Sequence, residues 1–119
     1  MKNYTFIFIT GAYNTASYAE RYFKSIFSQT YKNYNIWYVC DGCTDGTYDI
    51  AKKYLRQEDT LTVNPYSNRG PMASTLKNLS HHKRDESEDT IYIYLDGDDW
   101  LCDNKVLEYL NDEFQNEDT

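Results

Sequence analysis

Long apolar runs, cysteine and positive charge are all scarce in this sequence. The apolar stretch nearest the amino terminus, Phe6-Ile7-Phe8-Ile9, falls far short of the about 20 residues that a membrane-spanning helix requires. It is also shorter than the roughly 7–15 residue apolar core of a secretory leader. A buried strand, no transmembrane segment and no export signal are therefore expected. Cysteine occurs three times, at Cys40, Cys43 and Cys102. An odd number of thiols without an export signal argues against a disulfide framework and for a reducing, cytoplasmic setting. Lys and Arg number 12 against 19 Asp and Glu, a net charge of -7. That balance argues against general binding to nucleic acid or to anionic membrane surfaces, both of which repel an acidic protein at long range. A phosphate-bearing ligand then needs local help, from a cation held by carboxylates or from backbone N–H groups at a helix start.

The length of 119 residues suits one domain with a single core. Residues 5–10 form an apolar run rich in β-branched and aromatic residues, the pattern of a strand covered on both faces. Gly11 to Asn14 is expected to break it. From Thr15 or Ser17, either able to serve as N-cap, to about Ser28, the apolar positions Ala16, Ala19, Tyr22 or Phe23, Ile26 and Phe27 recur at helical spacing. Asn35 to Cys40 predicts a second strand, Asp41 to Gly46 a polar turn, and residues 47–56 a helix. Leu61-Thr62-Val63 reads as a short third strand. Residues 64–71 read as a loop carrying both prolines, followed by a helix to about Leu79. His81 to Asp89 has no apolar member and reads as solvated loop, its histidines included. Residues 90–95 form the fourth strand, and Asn104 to Phe114 a closing helix with Val106, Leu107, Leu110 and Phe114 on one face. Strands alternate with helices throughout, with no repeat and no linker. The expected fold is α/β, a mostly parallel sheet of about four strands with helices on both faces and right-handed crossovers.

In such sheets ligands bind outside the carboxyl ends of the strands. Four unusual loops fall there: Thr10 to Asn14, Asp41 to Thr47, Asn64 to Gly70, and Asp96 to Asp99. The last places three carboxylates within four residues, with a glycine that allows a sharp turn and close approach. Such oxygen-rich sites suit Mg2+ or Mn2+, which keep open positions for diphosphate oxygens. The plainer reading is a loop of solvated acids preceding a helix. An EF-hand fails, because the twelfth position is Leu107 counted from Asp96 and Lys52 counted from Asp41, neither of them a ligand. Cys40-Asp41-Gly42-Cys43 is a C-x-x-C between strand and helix and so admits a thioredoxin-like dithiol. Against that, Cys40 closes an apolar strand, and Asp41 disfavours a thiolate.

Read in order, Thr10 to Asn14, Ser25-Ile26-Phe27-Ser28-Gln29-Thr30-Tyr31, Asp41-Gly42-Cys43-Thr44-Asp45-Gly46-Thr47, Asn68-Arg69-Gly70 and Leu95-Asp96-Gly97-Asp98-Asp99 resemble the successive landmarks of the family 2 glycosyltransferases of GT-A, Rossmann-like fold, from about residue 6 to 110. The resemblance implies nucleotide binding by Thr10, Ala12 and Tyr13, and contact of Asp41 with the base, commonly uracil. It further implies Asp96 on the ribose and metal side, Asp98 as principal metal ligand and Asp99 as its neighbour. A carboxylate can accept the uracil N3–H and a tyrosine ring can stack on a base, which agrees with those roles.

The departures also matter. Cys40 stands where the family has the first of two paired acids. Thr75 stands near the position of a usual arginine, leaving Arg69 or Lys77 as candidates for the diphosphate. The family's acceptor region and catalytic base are expected beyond Thr119, so the sequence reads as truncated after the metal motif. The expected function is transfer of a sugar, with inversion, from a nucleotide-sugar (UDP-sugar favoured) to an unspecified glycan, protein or lipid acceptor. A non-catalytic nucleotide-sugar-binding or assembly module is the alternative. A homodimer is expected if the carboxyl edge exposes apolar surface.

Overall fold

The apolar run around Phe6 to Ile9 ends up inside the sheet because a strand with no polar alternation can be hidden only between neighbours on both sides. The computed structural model describes residues 2–64 and 89–115. Its elements are β1 (Thr5–Ala12), α1 (Ala16–Phe27), β2 (Tyr34–Asp41), α2 (Thr47–Tyr54), β3 (Thr60–Asn64), β4 (Thr90–Tyr94) and α3 (Val106–Gln115). All four strands are parallel, in the order β3-β2-β1-β4. The chain steps outward from β1 to β3 and then returns to the far side of β1. That reversal opens a crevice beyond the carboxyl ends of β1 and β4, the place where ligands bind in open α/β sheets.

Side chains alternate across the sheet. Phe6 and Phe8 of β1, together with Tyr34, Ile36, Tyr38 and Cys40 of β2, pack with Ala19, Tyr22, Phe23 and Ile26 of α1, Ala51 of α2 and Leu107 of α3 in one core. The three described helices therefore share a face. Ile7, Ile9 and Val39 on the opposite face are buried as well; the helix expected to end near Leu79 lies outside the described residues. Phe23 anchors the helical layer, stacked 5.2 Å from Tyr54 and lying 4.8 Å from Tyr22 and 5.1 Å from Tyr38. Each such ring pair contributes about 0.5–1.5 kcal/mol beyond the area it buries.

Element boundaries depart from the sequence pattern in two instructive places. β1 runs on through Gly11 and Ala12, which pair with Val39 and Cys40 of β2, because Gly11 keeps an extended conformation and its carbonyl is needed by the acidic turn described below. α2 ends at Tyr54, short of Arg56, because Leu55 is extended with ψ 139° and Arg56 is drawn to the start of β3. There both oxygens of the buried Asp59 carboxylate accept from the Arg56 guanidinium at 2.9 Å. The same carboxylate takes the backbone N–H groups of Ile36 and Arg56, while the guanidinium lies 4.8 Å from the Tyr34 ring.

Candidate functional site

The acidic turn is held against β1 by its glycine. The Gly97 N–H donates to the Gly11 carbonyl at 3.0 Å, and the turn closes with Asp99 N–H on the Asp96 carbonyl at 3.0 Å. A Cβ at Gly97 would lie 2.8 Å from the Ala12 Cβ and 3.0 Å from Thr15 Oγ1. Only glycine lets the turn sit this close. Asp96, Asp98 and Asp99 are exposed, and each can present a carboxylate oxygen within 4.8 Å of the others. Among the described residues no cation pairs with them. Partial burial, then the charges of Asp99 and Asp98, raise the Asp96 carboxyl above its ordinary value. The arrangement concentrates negative charge at the crevice and fits a divalent cation that takes oxygen ligands.

The loops after β1 and β2 are stitched together by side chains. Cys43 Sγ donates to the Ala12 carbonyl at 3.2 Å, and Asn14 Oδ1 accepts from Thr44 N–H at 2.8 Å. Asn14 adopts φ 53°, a left-handed conformation that asparagine tolerates. The Thr15 N–H donates to Thr47 Oγ1 at 2.9 Å, and the Ala16 N–H to Asp45 Oδ2 at 3.0 Å. Thr15 stands at the N-cap of α1, but its side chain makes no capping bond; Asp45, from the other loop, takes that part. The expectation of Thr15 or Ser17 as the capping side chain is thereby corrected. Because the first amide of α1 is already taken by a carboxylate, the acidic turn, acting through a cation, is the better candidate for holding a diphosphate.

The residues expected at the site divide into three groups. Tyr13 is 42% exposed, follows directly on Ala12, and is free to stack on a planar ligand. Asp41 is fully buried and ends β2 one residue past the Ala12–Cys40 pair, so the structure brings it to the same edge as Tyr13 and Asp96. Ala12 is buried and shapes the floor beneath Gly97. Thr10 lies below the edge, wholly buried with its hydroxyl bonded to Tyr22. Its side chain faces the α1 core, because even positions of β1 point there. Arg69, Lys77, Thr75 and the Asn68-Arg69-Gly70 landmark lie outside the described residues.

The dithiol reading finds no chemical support. Cys40 is buried, and burial together with the neighbouring Cys43 pushes its thiol up to about 12, the opposite of the thiolate such chemistry needs.

The Ser25 to Tyr31 landmark acquires a physical meaning that its sequence did not disclose. Gln29 is fully buried; its Nε2 donates to the Ser25 and Asp103 carbonyls and its Oε1 accepts the Leu107 N–H. Ser25 Oγ accepts the Leu101 N–H at 3.1 Å, and the Arg21 guanidinium lies 4.5 Å from the Trp100 ring. The end of α1 thus grips the chain just after Asp99. The only signal for this in the sequence was a polar residue, Gln29, following directly on an otherwise apolar helical stripe.

With that geometry in place, comparison with known proteins decides the family. The sequence model of glycosyl transferase family 2 matches residues 7–119. The chain belongs to this family. A glycosyltransferase named GlyA from Streptococcus pneumoniae serotype 4 is 28% identical over 111 residues, covering 87% of this chain and 15% of that protein. A cholesterol galactosyltransferase from Borreliella burgdorferi is 33% identical over 98 residues, covering 82% of this chain and 26% of that protein. The chain therefore spans about 15% and 26% of the length of these two relatives. The crystal structure of S. aureus TarS 1-349 in complex with UDP superposes with a TM-score of 0.72 at 24% identity, covering 93% of this chain and 32% of that one. The GT-A α/β arrangement is the fold of this family 2 chain. Among the described residues no helix is long and apolar enough to cross a membrane.

Proposed function

We propose that this chain is the donor-binding part of an inverting glycosyltransferase that takes a UDP-sugar with Mn2+ or Mg2+. The observation that carries the reading is the exposed Asp96, Asp98 and Asp99 cluster, locked by Gly97 onto the end of β1 at the reversal of strand order. The UDP in the TarS complex supports the choice of nucleotide. Asp98 and its neighbours hold the cation, and Asp96 also faces the ribose. Tyr13 stacks on the base, and Asp41 accepts the N3–H of uracil. Arg69, outside the described residues, is assigned to the diphosphate. A bound dication offsets the negative charge that grows on the β-phosphate as the bond to the sugar breaks. Inversion also requires a base that deprotonates the acceptor hydroxyl opposite the leaving group. No described residue is assigned that part, so the reading for these residues is confined to donor binding and leaving-group departure.

Titration calorimetry tests it. Wild-type chain should bind UDP in the presence of Mn2+ and lose that binding on chelation, and Asp98→Ala should abolish it. Equal binding by Asp98→Ala, or none by the wild type, overturns the reading.

A further inference from the structure

Asp45 is so far assigned only the capping of α1, although it makes the most extensive polar contacts of any exposed acid among the described residues. We propose that Asp45 is the positioning residue of the donor site, a two-sided clamp that sets the spacing between the loop after β1 and the loop after β2. This inference rests on the donor-site reading.

The geometry is specific to a carboxylate. Oδ2 accepts the Ala16 N–H at the start of α1. Oδ1 accepts both the Thr47 N–H at 3.0 Å and the Thr47 hydroxyl at 2.5 Å at the start of α2. The Thr47 hydroxyl, having donated to Asp45, offers its lone pair to the Thr15 N–H. One charge therefore meets the first amides of two helices. Tyr13 lies between Ala12 and Asn14, which the Cys43 and Thr44 bonds tie to the second loop, and Asp41 stands at the root of that loop. Gly46, at φ 107° with nothing within 4 Å of an added Cβ, permits the reversal that aims Asp45 back at α1. Partial burial raises the Asp45 carboxyl, but the bonds from Thr47 and Ala16 outweigh it and leave the group below its ordinary value. Asp45 therefore stays ionised and accepting on both oxygens.

An asparagine at this position has one acceptor oxygen. It can still take the Thr47 N–H and cap α2, but its NH2 then meets the Ala16 N–H, donor against donor. A group whose only task is to cap α2 tolerates that exchange; a two-sided clamp does not. The 119-residue chain is compared as wild type, Asp45→Asn and Asp45→Ala by urea denaturation, by amide exchange at Ala16, and by calorimetry with UDP and Mn2+. Asp45→Asn should retain most of the wild-type stability while the Ala16 amide exchanges faster and UDP binding weakens about tenfold to a hundredfold, since small misplacement of binding groups has effects of that size. Asp45→Ala should lose both stability and binding. Wild-type binding matched by Asp45→Asn, or unchanged Ala16 exchange in Asp45→Asn, overturns the clamp and leaves the donor-site reading intact. Failure of the wild type to bind UDP overturns both.

Discussion

The two edges of the sheet use the same residue type in opposite ways. At the amino edge, Asp59 is enclosed, and every strong donor near it is satisfied: the Arg56 guanidinium, the Ile36 N–H and the Arg56 N–H all end on its two oxygens. At the carboxyl edge, Asp96, Asp98 and Asp99 stand exposed with their charges facing one another. The first arrangement is what stability selects, because a charge taken from water must be met by counter-charge and hydrogen bonds. The second raises the electrostatic energy of the chain alone and is relieved by a cation. An aspartate's neighbours, more than its position in a motif, tell structure from function here. Asp45 stands between these extremes, exposed yet fully engaged.

The contrast is broken most severely at the amino edge. Asp59→Ala leaves two backbone N–H groups without their acceptor and the Arg56 guanidinium with only the Tyr34 carbonyl and Glu58, and a loss of about 3 kcal/mol is expected in urea denaturation. A loss under about 1 kcal/mol would mean that solvent replaces the carboxylate. Next in size is Gly97→Ala, whose Cβ has nowhere to go between Ala12 and Thr15; about 1–3 kcal/mol of stability should be lost, with Mn2+-dependent UDP binding lost as well because the acidic turn must move. Asp45→Ala removes a cap shared by two helices and should cost about 0.5–2 kcal/mol at neutral pH. Because the folded Asp45 carboxyl is lowered, its contribution is fully present above the ordinary carboxylate value and disappears as pH falls through the folded value. The gap in urea midpoint between wild type and Asp45→Ala should therefore close on acidification. The smallest effect on folding belongs to Asp98→Ala, expected within about 0.5 kcal/mol of wild type, although the same change removes metal-dependent UDP binding. A large loss of stability there would place Asp98 with Asp59 among the structural acids.

Much of this was legible in one dimension. Apolar runs at residues 5–10, 35–40 and 90–95 marked strands, and the stripe Ala19, Tyr22 or Phe23, Ile26 marked α1, because burial imposes its period on the chain locally. The acidic turn was visible because three aspartates and a glycine are adjacent in sequence. What escaped reading were groups whose partners lie far along the chain. Asn111 interrupts the apolar face expected of the last helix, yet it is buried because its Oδ1 accepts the Tyr4 N–H at 2.9 Å across 107 residues of sequence. Thr10 looked like a site residue by its place in a motif, but strand alternation turned it toward Tyr22. Arg56 looked helical until Asp59 claimed it.

By itself, then, the sequence determined the alternation of strands and helices, the parallel class of the sheet, and the location of an acidic turn after a buried strand. Those features depend on spacing between near neighbours, where backbone geometry alone says which side chains share a face. Only the tertiary structure decided that β4 returns beside β1, that Gly97 rests on Ala12, and that Asp45 rather than Thr15 caps α1. Each of these is a contact between distant segments, fixed by close packing and by the need of buried polar groups for partners. The acidic turn could be read from sequence. What makes it a candidate site, its position in the crevice beside β1 and the end of β2, exists only once the chain has folded.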